Sequence, residues 1–291
     1  MLICTLFKIK KMRYKSLFLI ALVAVSCGSG TGGNTNSDVQ DASVDTTLID
    51  TDTENAGRVL ATLPSSHEII AVLVDHPDTK YDASLLNSQK SYLKYNTTMS
   101  KSLNLGAYGV DMSYASLFNQ NQTVLQYMAV VKTMAEQLGI MQFFDEPTMQ
   151  KMESNLDNKE VMIDIISDAF YKSDQYLLEN GQREIAAMII SGAWIEAMST
   201  AFHLTKGQYA FNKKLSSRIL MQCEAVDVML EFLTEYQDGG INDIIKDFQE
   251  IYMLVKQSGI SIRDDLYYCD DTAFKNIFDK ISQIRSRYVS L

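Results

Sequence analysis

From Ala61 onward, apolar residues recur at the three- and four-residue spacing of helices, and no stretch alternates at the period of two that a half-buried strand needs. Val124, Met128, Val131, Ala135 and Leu138 mark a helix over about 121–138 that stops at Gly139. Asp145 with Pro147 in the first turn opens the next, and Asn158 caps a longer one whose stripe of Met162, Ile166, Ala169, Ser173 and Tyr176 runs to Gly181. Further helices are predicted over 183–205, over 213–237 ending at Gly239-Gly240, and over 241–258 ending at Gly259. The last starts at Asp271 and carries Phe274, Ile277, Ile281, Ile284 and Tyr288, with Arg285 and Arg287 suited to the negative end of its dipole. Upstream, the pattern predicts helices over 88–104 and 107–119. A capping box, Ser65 with Glu68, opens a short helix through Ile69, Ile70, Val72 and Leu73 that ends near Asp75, ahead of Pro77.

About ten helices and no strand make the expected fold class all-α. Proline is absent after position 147, so nothing interrupts long helices in the later half. The helices start at unequal intervals and share no recurring residue set, so an irregular helical bundle is expected for residues 61–291, as one domain, with a short α-solenoid as the alternative.

The chain changes character before Leu60. Residues 28–60 have no aromatic side chain, many Gly, Ser, Thr and Asn, and six acids against the single base Arg58. Such a stretch cannot bury enough apolar area to offset chain entropy, and residues 27–60 are expected to form a disordered acidic tether. Asp50, Asp52 and Glu54 are close in spacing to a calcium loop, but Asn55 stands where the turn needs glycine and Ala61 where a bidentate acid is needed. Calcium is not expected there.

At the amino terminus, Arg13 and Lys15 precede the apolar run Leu17 to Val25, and Ala24-Val25-Ser26 leads to Cys27. The run is shorter than the roughly 20 residues that cross a bilayer core. Residues 12–28 resemble the export signal and lipobox of bacterial lipoproteins, with Ala24 where leucine is usual; an ordinary signal peptide is the other reading. The resemblance implies cleavage of residues 1–26, lipid such as palmitate on Cys27 and the new amino terminus, and a place in the bacterial cell envelope, facing the periplasm or the outer surface. Met12 begins a compact signal of its own and is expected to be the true start, in which case Cys4 is never made.

Charge then narrows the choice of partners. Residues 1–26 hold five cations (Lys8, Lys10, Lys11, Arg13, Lys15) and no acid; without them 21 Lys+Arg face 36 Asp+Glu, a balance of −15 where the full chain has −10. Phosphate-rich partners are repelled by such a surface, so nucleic acid is not an expected partner and the membrane would be held through the lipid on Cys27 alone. Cys223 and Cys269 are the other cysteines of the mature chain. They could pair in an oxidising compartment, but Cys223 falls on the apolar stripe Ile219, Cys223, Val226, Leu230, Leu233, where a thiol acts as a small core hydrophobe.

Signatures of known chemistry are missing. No Gly-rich phosphate loop, Gly-x-Ser-x-Gly, His-Glu-x-x-His or Cys-x-x-Cys occurs, and none of the three histidines follows a glutamate at the spacing of a di-iron bundle. No metal and no cofactor is expected. Two polar features remain. Glu196 is the one charge between Ile185 and Phe202, two residues after the sole tryptophan, Trp194, and seven before His203. It is a site residue or simply the wet side of its helix. Asp111 lies beside the stripe Leu103, Ala107, Val110, Tyr114, Leu117, next to Gly106 and Gly109; it marks a site, or a tight helix junction where it bonds a tyrosine or lysine. Asp111, Tyr114, Trp194, Glu196 and His203 are thus the candidate ligand-binding set. The expected function is a membrane-anchored binding or assembly subunit without catalysis, recruiting a protein or envelope ligand; the alternative is a hydrolase or lyase using Glu196 or Asp111 as general acid or base.

Overall fold

The computed structural model describes residues 79–235 and 240–291, all within one compact unit. The signal segment, Cys27, the tether and the helix after Ser65 lie outside the described residues. Among those described, nine α-helices dominate: α1 (Thr98–Leu117), α2 (Asn121–Gln137), α3 (Glu146–Glu153), α4 (Lys159–Glu179), α5 (Arg183–Leu204), α6 (Lys213–Glu224), α7 (Val226–Thr234), α8 (Asn242–Gln257) and α9 (Asp271–Tyr288). The fold is an all-α helical bundle.

Its axis is the pair α1 and α5. Leu103 lies against Gly192, Gly106 against Ile189 and Ala193, and Asp111 against Glu196, so contacts advance in the same direction along both helices. A Cβ on Gly106 would stand 2.0 Å from the Ile189 carbonyl oxygen, and one on Gly192 1.9 Å from that of Leu103. Both glycines therefore serve close backbone approach. The two helices predicted on either side of Gly106 are instead the single helix α1, preceded by a 3-10 turn over Gln89–Lys94. Packing against α5 compensates the helix weakness of Gly106 that suggested a break.

Around this axis, α2 folds back on α1 after Asn119 (φ 54°), α4 packs against α1 and α5, and α9 lies across α5, α8 and α1. Local signals hold the ends: Asp145, Asn158 and Asp270 each accept a backbone N–H of the following first turn, and Gly139, Gly181 and Gly259 take positive φ just after helices. The long helix expected over 213–237 is divided at Ala225 into α6 and α7.

A two-stranded hairpin, β1 (Ser261–Arg263) with β2 (Leu266–Tyr268), was not expected from the pattern. Its turn residues Asp264 and Asp265 both have positive φ, the tight-turn geometry suited to a two-residue loop. Three-residue strands are too short for alternation to register. β2 is held to α6 and the preceding loop, where the Tyr267 N–H donates to Ser217 Oγ and the Tyr209 hydroxyl to the Tyr267 carbonyl. Helix α5 is long and apolar enough to cross a membrane, but 89% of its apolar window is buried within the fold, as suits a core helix.

Candidate functional site

Ahead of α1, residues 80–95 run along the bundle with only two short 3-10 turns, Ala83–Leu85 and Gln89–Lys94. Irregular backbone pressed against a core leaves N–H and C=O groups that must find partners there. Side chains supply them. Tyr114 Oη accepts from the Asp82 N–H (3.1 Å), Asp111 Oδ2 from the Asn87 N–H (2.9 Å), and the hydroxyls of Tyr127 and Tyr108 donate to the Asn87 and Ser88 carbonyls (2.7 Å each). Arg285 Nη2 donates to the Leu85 carbonyl at 2.8 Å. The Asn87 side chain donates to Tyr95 Oη and Asn104 Oδ1, while Asn104 Nδ2 reaches the Ser100 and Tyr288 carbonyls. This segment acts as a strap laced to the bundle by polar groups that would otherwise be stranded.

At the bottom of the lacing lies a charge cluster. Arg285 of α9 grips Glu196 of α5 through both carboxylate oxygens, Nη2 to Oε1 at 2.7 Å and Nε to Oε2 at 2.8 Å. Glu196 is only 1% exposed, so the wet-face reading does not hold: every residue from Ser191 to Phe202 is buried. Burial opposes the Arg285 charge, yet the adjacent Glu196 outweighs it and raises the guanidinium pKa. Asp111 is fully buried, its Oδ1 meets no donor, and its side chain interacts with the Glu196 carboxylate. Burial, then the charge of Glu196, pushes the Asp111 pKa well above the carboxylate range, against the opposing pull of Arg285 and the Asn87 N–H. One guanidinium cannot neutralise two carboxylates in a buried site, so this environment favours the protonated form of Asp111.

The five candidates do not form one set. Asp111 and Glu196 meet. Tyr114 joins them through the strap, its hydroxyl on the Asp82 N–H and its ring 5.6 Å from that of Tyr81; burial pushes that hydroxyl up to about 12 against the opposing pull of the Asp82 N–H. Trp194 points elsewhere, its ring 5.4 Å from Phe248 of α8. His203 is exposed; its Nδ1 pairs with the Ser199 carbonyl of its own helix and its ring lies edge-on to Phe278. The expectation that Asp111 bonds a tyrosine or lysine is also corrected: its partners are a backbone amide and another carboxyl.

Sequence reasoning missed Arg285, which it placed at a helix dipole, and Asn87, Asn104, Tyr108 and Tyr127. One signal was available: Asn104, Tyr108 and Asp111 sit at i, i+4 and i+7, a polar stripe inside an otherwise apolar helix.

On its outer side the strap borders a cleft of about 360 Å³ against α2. Tyr81, Leu86, Asn87, Gln89, Thr123 and Tyr127 shape it, and among the described residues no charged side chain lines it. Asn87 and Tyr127 therefore belong to both the cleft wall and the buried lacing. No group of three or more potential metal ligands gathers among the described residues. Cys223 and Cys269 are free and buried; burial raises both thiol pKa values, that of Cys269 to about 12. Comparison of the chain with protein-family models, with curated proteins and with solved structures gives no match.

Proposed function

We propose that this is a bacterial envelope lipoprotein, held to the membrane by lipid on Cys27, whose helical domain is a non-catalytic binding or assembly subunit. The observation that carries the non-catalytic reading is the engagement of the candidate acids. Glu196 has both oxygens on Arg285, and Asp111 holds the Asn87 amide beneath the strap. Neither acid reaches solvent, so neither can touch a substrate while the strap is in place. The cleft beside the strap is a concave surface among the described residues, and its hydrogen-bonding lining of Tyr, Asn, Gln, Ser and Thr suits a neutral polar group or a peptide backbone. A lipid and a tether would let such a domain search along the membrane surface.

The carboxylate hydrolase or lyase reading is favoured by one feature: an acid and a carboxylate stand side by side, as general acid–base chemistry requires. Two experiments separate the readings. Metabolic labelling with a palmitate analogue should mark the wild type and not Cys27→Ala, whose product should leave the membrane fraction; an unlabelled wild type removes the anchor. Screening for turnover of envelope-type esters, amides and glycosides should give nothing. Activity lost in Glu196→Gln with the fold intact would replace the binding reading by the enzymatic one.

A further inference from the structure

We propose that Asp111 and Glu196 hold one proton between them, and that its loss to solvent base unlaces residues 80–95 from the bundle. The geometry ties ionisation to the strap directly. Asp111 holds the strap through the Asn87 N–H, and Glu196 holds it through Arg285, which donates to the Leu85 carbonyl. Both backbone groups belong to the same short segment. With the proton present, Asp111 Oδ1–H donates to Glu196, the orphaned oxygen gains a partner, and the cluster is neutral.

When the Oδ1–H bond breaks and the proton leaves to buffer base, two carboxylates face one guanidinium in a site without solvent. Among the described residues, Arg285 is the cation that acts on Asp111 and Glu196. From α1, Tyr108 and Tyr114 act on Asp111, and from α2, Tyr127; from the strap comes the Asn87 amide, while the Asp82 carboxylate, whose backbone N–H donates to Tyr114, accepts from Ser84. All of these are neutral or negative. Relief comes by admitting water, and the side that can open is the strap, which contributes no regular helix longer than six residues and is held by these polar bonds together with Tyr81, Leu85, Leu86, Tyr92 and Tyr95 packed on the core. The cleft then changes shape, because Leu86, Asn87 and Gln89 are both strap and cleft wall. This last consequence rests on reading the cleft as the binding site; unlacing itself does not.

The test is hydrogen exchange by mass spectrometry on the full chain from pH 5 to 9.5, corrected for the base-catalysed intrinsic rate. Peptides from residues 80–95 should lose protection about tenfold per pH unit above the apparent pKa of the pair, the slope of a one-proton linkage, while α5 peptides keep theirs. Asp111→Asn, whose amide donates to Glu196 at every pH, should hold strap protection level. Constant wild-type protection to pH 9.5, or an equal loss in Asp111→Asn, would overturn the proposal. If Asp111→Asn fails to fold, infrared spectroscopy of Asp174→Asn decides. That background removes the other strongly raised acid, so a protonated-carboxyl stretch at neutral pH that vanishes as the strap opens supports the shared proton, and its absence refutes it. Neither readout needs a ligand, so failure of the binding reading and failure of the proton lock are told apart.

Discussion

Arg285 is the residue on which the buried polar groups converge. Removing its head in Arg285→Ala leaves Glu196 in the core without its cation and Leu85 without a donor, a change expected to cost about 3–5 kcal/mol, seen as a lower urea midpoint at unchanged slope. Glu196→Gln should cost less, because its amide oxygen still accepts from Arg285 and no unpaired anion is created. Asp174 of α4 poses the opposite problem. It is buried, its Oδ1 has no hydrogen-bond partner, and burial alone raises its pKa well above the usual value. An acid with a raised folded pKa holds its proton longer in the native than in the unfolded chain. Its contribution to stability is therefore complete below the unfolded pKa and is lost as pH rises towards the folded one. Asp174→Asn should thus melt close to the wild type near pH 4 and above it near pH 8, the gap widening with pH; a constant gap would mean the carboxyl is not held neutral.

At the scale of elements, the contact between α1 and α5 rests on two missing side chains. Gly106→Ala and Gly192→Ala each place a methyl on backbone atoms of the facing helix, which has no flexible tip to move aside. Each should destabilise the protein by about 3 kcal/mol or more, although alanine is the better helix former in isolation. The hairpin responds the other way. Asp265 sits at φ 62°, where a side chain is strained and glycine is not, so Asp265→Gly should raise stability by about 0.5–1 kcal/mol in thermal or urea unfolding. These elements were unequally legible. Helices with an Asp or Asn cap and a glycine after the last turn were readable because those signals act within a few residues. Gly106 was ambiguous, because the same residue breaks an isolated helix and permits a close helix pair, and the partner lies more than eighty positions away.

For the molecule as a whole, the described residues share one continuous core. α9 buries Phe274, Ile277, Ile281 and Ile284 and also delivers Arg285 to Glu196. A chain ending at Asp270 should therefore lose cooperative unfolding altogether, giving a broad thermal transition by circular dichroism. In a solenoid, removal of a terminal pair would cost only the neighbouring interface. The arrangement also accounts for strong polar groups in an apolar interior: they bind backbone that could not otherwise be buried.

Local physics was enough to settle the helical class, most helix ends and the burial of stripes such as Phe274, Ile277, Ile281 and Ile284, because periodicity and capping involve neighbours in the chain. The same reading found Asp111 and Glu196 as polar residues out of place. It could not pair them, nor assign Arg285 and Asn87 to them, since those contacts join residues 24 to 89 positions apart and exist only once three helices and the strap have packed. Tertiary structure decided whether each acid faced water, a cation or another acid, and in a low-dielectric interior that choice determines its charge.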